Sequence, residues 1–194
     1  MYEYFKGKLV FKAPTHVILE VGGIGYYLHI SLTTFSQIKD MEECKLFASF
    51  QVREDSQTLY GFATEAERHL FEHLISVSGI GPNTGRMMLS SITPEEIQQA
   101  IIAGQVNVIQ KIKGIGPKTA QRVILELQDK LKKQGPDALI PLPISKTSAI
   151  EEALTALVML GFAKPAADKA LQAIHASDPD QSVEQLIKAA LKRL

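Results

Sequence analysis

Apolar and polar positions along this 194-residue chain change rhythm near residue 63. Before it, short β-branched and aromatic runs predict five strands, at Tyr4–Lys12, Thr15–Val21, Tyr26–Ile30, Lys45–Val52 and Thr58–Phe62. Ala13-Pro14, Gly22-Gly23, a loop containing Asp40-Met41-Glu42-Glu43, and Arg53-Glu54-Asp55-Ser56 separate them. Five strands in so short a stretch predict a Greek-key barrel of the oligonucleotide-binding (OB) type. The stretch Val21-Gly22-Gly23-Ile24-Gly25 is glycine-rich, and a hairpin turn explains it better than a phosphate cradle.

After residue 63 the period becomes helical. Glu65–Val77 predicts a first helix, Thr93-Pro94-Glu95-Glu96 a capping box opening another that runs to about Ala103, and Pro117–Lys133 a long third. Within this segment the chain repeats itself. Gly79-Ile80-Gly81-Pro82 recurs as Gly114-Ile115-Gly116-Pro117, and Thr84 and Thr119 follow in register. An apolar run precedes each turn (Leu70, Phe71, Leu74, Ile75; then Val106, Ile109, Ile112) and another follows it. Each copy therefore reads as helix, hairpin and helix.

The turn chemistry is specific. Glycines on either side of one apolar residue permit positive φ and close approach of a partner, while Ile80 or Ile115 fills the crevice between helices. Pro82 and Pro117 suit a first helical position, and the amides of a helix start favour an anion such as phosphate. Such a turn can also be a plain connector; two copies in register, the second followed by Lys118 and Arg122, favour a grip on a nucleic-acid backbone. The residues expected at the DNA are Gly79, Gly81, Asn83, Thr84 and Arg86 in the first copy, and Gly114, Gly116, Lys118, Thr119 and Arg122 in the second. The copies differ, since Asn83 stands where the second has Lys118, so the first leans on Arg86 or on backbone donors alone. No Gly-Lys-Ser/Thr follows either turn, which excludes a P-loop, and the helical pattern ahead of each excludes a dinucleotide fingerprint.

The formal charge is zero, but residues 64–134 carry +2 against −1 in each flanking segment. Gln105–Leu125 contains Lys111, Lys113, Lys118 and Arg122 and no acid, a local footprint for a polyanion. The single cysteine, Cys44, fits a reducing compartment. The absence of a leader or membrane-length apolar run predicts a cytoplasmic protein with no membrane association.

Residues 135–147, rich in proline, predict a flexible linker. Beyond it Ser148-Ala149-Ile150-Glu151 opens a helix closed by Leu160-Gly161-Phe162, Pro165 starts a second, and Ser182-Val183-Glu184-Gln185 caps a third. The expected organisation is thus multidomain α+β: a barrel over 1–63, tandem helix-hairpin-helix units over 64–134, the linker, and a three-helix, UBA-like module over 148–194. A module without a basic stripe on a tether suits a protein partner, with Leu157, Leu160 and Phe162 as its contact face unless they are its core.

Glu54 and Asp55 stand together between two apolar strands. They are ordinary turn acids, a negative pin within a DNA-binding surface, or, less readily, part of a metal-dependent nuclease site, which needs further convergent carboxylates. His69 and His73 are one helical turn apart, but the Glu of a zinc-protease motif is missing and an ordinary helix face accounts for them. A helix-hairpin-helix glycosylase would need a catalytic Lys or Asp in a base pocket; Asp129 and Lys130 sit in a charged helix end instead. A single-strand binder would need aromatic stacking platforms, and there is no Trp. No catalytic residue, metal or cofactor is expected.

The whole chain resembles the RuvA family of Holliday junction-binding subunits of bacterial branch-migration complexes. The matching phrases are Val21-Gly22-Gly23-Ile24-Gly25-Tyr26, Val52-Arg53-Glu54-Asp55 with Leu59-Tyr60-Gly61-Phe62, both Gly-Ile-Gly hairpins, and Leu157-Val158-Met159-Leu160-Gly161-Phe162. The resemblance implies a fourfold homotetramer, singly or in pairs on a four-way junction, with barrels at the centre and hairpins on the arms. It matches Glu54 and Asp55 to a central acidic pin. It matches the tail to the domain that contacts the hexameric ATPase motor RuvB, and leaves room for the RuvC junction resolvase as a further partner. This sequence departs from the family's usual basic residues at Asn83 and Pro117.

Overall fold

The computed structural model describes residues 2–134, 149–175 and 181–194. The chain divides into two compact units, Met1–Pro141 and Leu142–Leu194. In the first, strands β1 (Tyr4–Ala13), β2 (His16–Val21), β3 (Ile24–Ile30), β4 (Glu43–Val52) and β5 (Gln57–Phe62) close a barrel in the order β1-β2-β3-β5-β4. Val21 pairs with Ile24 across Gly22 and Gly23, both at positive φ, so this stretch is the hairpin turn its composition implies. The register of β1 shifts between Leu9 and Phe11, an irregularity that helps a short sheet curl onto itself. Inward residues alternate along the strands, and Val17, Leu19, Leu28, Ile30, Leu46 and Ala48 form the barrel core.

One element was not expected. Between β3 and β4 the chain forms α1 (Leu32–Ile38), whose Ile38 joins the barrel core. Ser31 caps it by accepting from the Thr34 amide at 2.9 Å.

The helical part comprises α2 (Glu65–Ser76), α3 (Pro82–Ser91), α4 (Pro94–Ile102), α5 (Val106–Gln110) and α6 (Pro117–Gln134). The capping box at Thr93 is present, with the Thr93 amide donating to Glu96 Oε2 at 2.9 Å. Barrel and hairpins share one core. Tyr60 and Phe62 of β5 lie with Phe71 of α2 at ring-centroid distances of 5.1 and 4.9 Å, and they belong to the same buried cluster as Leu74, Met88, Ile109 and Val123.

A buried polar knot fixes the join. Glu67 of α2, 1% exposed, accepts from Ser31 Oγ at 2.5 Å and from Thr34 Oγ1 at 2.6 Å. Thr34 Oγ1 in turn accepts from the Ala63 amide, and Thr64 caps α2. Helix α1 also holds the far end of α3: Thr33 Oγ1 donates to the Leu89 carbonyl and the Leu32 amide to Ser90 Oγ.

The second unit packs α7 (Ala149–Met159), α8 (Lys164–His175) and α9 (Val183–Leu191) around Ala153, Leu157, Ala167, Leu171, Ile174, Leu186 and Ala190. The Ser182–Gln185 capping box is present. The expected linker over 135–147 and the Ser148 cap lie outside the described residues.

Candidate nucleic-acid interface

The two hairpins are built alike. Val77 and Ile112 each accept from the amide three residues on, at 3.0 Å from Ile80 and 3.1 Å from Ile115. Gly79 and Gly114 take φ of 95° and 89°, which a residue with a Cβ rarely adopts. The following glycines do not share this conformation: Gly81 has φ of −86° as the N-cap of α3, and Gly116 is not among the positive-φ residues. A Cβ on Gly116 would meet nothing within 4 Å, so the surface beside it is open. Ile80 and Ile115 are buried in the shared core, as plugs between helices should be.

Each second helix begins at its proline. The first intrahelical bonds run from Gly85 to Gly81 and from Ala120 to Gly116, both 2.9 Å. The amides of Asn83, Thr84, Lys118 and Thr119 precede those bonds and have no carbonyl in their own helix to meet. No side chain caps the start of α3. Each hairpin thus presents backbone donors and the positive end of a helix dipole, an arrangement that suits a phosphate oxygen.

The hairpins lie side by side. A Cβ on Gly79 would stand 4.0 Å from Thr119 Oγ1, and Arg122 Nη1 donates to the Ser78 carbonyl at 3.2 Å. Arg122 also lies 3.8 Å from Glu126. Lys118 is exposed at the start of α6. The sequence pattern points Arg122 at a phosphate; in the structure one of its nitrogens ties one hairpin to the other.

The first hairpin is charged differently. Arg86 Nη1 donates to the Thr15 carbonyl in the β1–β2 loop at 2.9 Å, so the guanidinium expected at the DNA is turned to the barrel. A barrel cation stands beside this hairpin instead. Arg53, at the end of β4, brings Nη2 to 3.7 Å from where a Cβ on Gly81 would stand. Asn83 Oδ1 lies 3.4 Å from the Tyr60 hydroxyl. Burial raises the Tyr60 phenol above its ordinary value, with Arg86 and Arg53 opposing the rise, so it remains a proton donor at neutral pH. His29 is held below its usual value, first by burial and then by Arg86 and His16. No spacing rule could have flagged Arg53, because its neighbour is the other domain's turn.

Glu54 and Asp55 occupy the exposed tip of the β4–β5 hairpin. The Arg53 amide donates to the Ser56 carbonyl at 2.8 Å and closes the loop, while Ser56 Oγ donates to Asp55. Among the described residues no group of three or more His, Cys, Asp or Glu is placed to hold a metal ion. His69 sits 3.8 Å from Glu65 and 3.3 Å from an Arg68 nitrogen. Among the described residues no helix is long and apolar enough to cross a membrane.

In the tail module the expected contact face divides. Leu157 is fully buried in the module's core and is not available at the surface, because the helical period that selected it is the period of the core itself. Phe162 packs partly against that core, whereas Leu160 is 61% and Met159 84% exposed.

A closed OB-type barrel joined to paired helix-hairpin-helix turns, with a three-helix module in the second unit, defines a class of DNA-binding scaffold. Residues 1–61 match the RuvA N-terminal domain, 71–129 the SAM-like helix-hairpin-helix tandem, and 148–194 the RuvA C-terminal domain. The chain belongs to the RuvA family. It is 50% identical to the Holliday junction branch migration complex subunit RuvA of Christiangramia forsetii over the full length of both chains. The corresponding proteins of Cytophaga hutchinsonii and Bacteroides fragilis are 48% and 46% identical, covering 99% and 100% of each chain.

Proposed function

We propose that this chain binds four-way DNA junctions by structure rather than sequence, holds them open, and recruits a hexameric ATPase of the RuvB type for branch migration in recombination and repair. The carrying observation is the pair of like hairpins, side by side, each ending at a helix start whose first amides have no carbonyl in their own helix to meet. Full-length identity to proteins named as subunits of a junction branch-migration complex supports the same reading.

In this reading the chain is a non-catalytic subunit, acting as a cytoplasmic homotetramer. One or two tetramers engage the junction, and RuvC is a compatible further partner. Gly79, Gly81, Asn83, Thr84, Gly114, Gly116, Lys118 and Thr119 approach the phosphates, Arg122 does so while bracing Ser78, and Glu54 and Asp55 act as the pin. Leu160 and Met159, with the half-buried Phe162, form the motor-facing surface, while Leu157 belongs to the module's core.

Native mass measurement with and without a four-way junction tests the assembly, and competition against linear duplex of scrambled sequence tests the selectivity. A monomer indifferent to junction structure would sink the proposal.

A further inference from the structure

We propose that Arg53 is the phosphate-binding cation of the first hairpin, supplied across the domain boundary by the barrel. The inference rests on the reading of the hairpins given above and adds to it a residue and a ligand group. Hairpin two carries its own lysine at the second helical position; hairpin one has Asn83 there, and its own Arg86 is engaged with the Thr15 carbonyl.

Three observations place Arg53 in the vacant role. Its Nη2 lies 3.7 Å from the Cβ position of Gly81, beside the start of α3. Between the β4–β5 hairpin and that helix start lies a cleft of about 280 Å³, lined by Arg53, Ser56, Tyr60, Gly81, Pro82 and Asn83. Among the described residues Arg53 is in no ion pair, although Glu54 follows it. With Asn83 Oδ1 accepting from the Tyr60 hydroxyl, the Asn83 amide nitrogen is left to donate. The chemistry assembled is that of a phosphodiester site: a guanidinium fork, an amide donor and two backbone amides around one oxyanion.

The arrangement also sets the distance between opposite effects. Arg53 attracts a strand next to the two carboxylates that repel it, so one four-residue loop both draws the backbone to hairpin one and bars it from the tip.

The test is a salt titration of the full-length protein on a four-way junction and on linear duplex, comparing parent, Arg53→Gln, Arg53→Lys and Lys118→Ala. Arg53→Gln should flatten the log–log salt slope by about 0.9 per engaged subunit on both DNAs, so that its deficit shrinks about 3-fold per subunit over a roughly fourfold rise in salt. Arg53→Lys should keep the slope. Adding Asn83→Lys to Arg53→Gln should restore it, because the charge then sits where the second hairpin carries its own; a structural role for Arg53 would not be rescued this way. An unchanged slope in Arg53→Gln beside a reduced one in Lys118→Ala overturns the assignment while leaving the hairpin reading intact. A defect confined to the junction, with the slope unchanged, assigns Arg53 to the pin and also overturns it. An unchanged slope in both variants brings down the hairpin reading itself.

Discussion

Replacing Glu67 with alanine strips the acceptor from Ser31 and Thr34, two hydroxyls that are themselves fully buried. A hydrogen bond to a charged group contributes about 1.5–3 kcal/mol net, so the two bonds amount to roughly 3–6 kcal/mol. Against this stands the cost of burying the carboxylate, several kcal/mol. The balance is visible in the group's titration: burial is the largest influence and raises the Glu67 pKa, outweighing the donors that lower it. The burial cost therefore brings the expected net loss below that range, to about 2–3 kcal/mol. With the folded pKa raised, the proton-linked stabilisation is fully present below the ordinary carboxylate range and is lost as pH rises through the raised value. Glu67→Gln should accordingly cost less than Glu67→Ala at neutral pH, and both variants should lack the parent's gain on acidification. Hydrogen exchange at the amides of Thr34 and Ala63, which donate to Ser31 Oγ and Thr34 Oγ1, reads the knot directly. A loss of 2–3 kcal/mol appears there as a fall in protection of about 30- to 150-fold if these amides open with the knot. Protection and thermal midpoint both unchanged in Glu67→Ala would refute the reasoning, since the two hydroxyls would then have found other partners at no cost.

Gly114→Val should abolish most DNA affinity at low salt while Gly116→Ala leaves the fold intact and weakens binding modestly, because only Gly114 needs positive φ; equal affinities in a gel-shift series would contradict this. Neutralising the tip as Glu54→Gln with Asp55→Asn should tighten binding to linear duplex more than to junction, and paired titrations giving equal selectivity would return both residues to the status of turn acids. Leu160→Asp should leave junction binding and the circular dichroism spectrum unchanged and remove stimulation of a RuvB-type ATPase, whereas Leu157→Asp should unfold the module; the reverse pattern in a melting experiment would show the core misplaced.

The barrel strands and both hairpins were legible because each is a local pattern: alternation between turn residues, or a repeated phrase with its proline. Helix α1 was not. Leu32-Thr33-Thr34-Phe35-Ser36-Gln37-Ile38 carries two β-branched threonines and covers barely two turns, so neither propensity nor period announces it. Its stability comes from Glu67, Leu89 and Ser90, partners more than thirty residues away. The same holds at the interface. Lys118 is recognisable beside its glycines, but that Arg53 lies beside the Gly81 turn and that Arg86 donates to the barrel's Thr15 carbonyl is visible only in three dimensions. For Leu157 the helical period left contact face and core both open, and the structure places it in the core.

The clamp that α1 places on the far end of α3 has a mechanical meaning. Helix α3 is a rod about 15 Å long, loaded at one end by whatever its first amides hold and anchored at the other through Leu89 and Ser90 to a barrel-borne helix. A pull on a strand held at those amides would run along the helix axis toward Leu89 and Ser90, so that part of it would reach the barrel through α1. The Arg122–Ser78 strut lets the second hairpin share that load path.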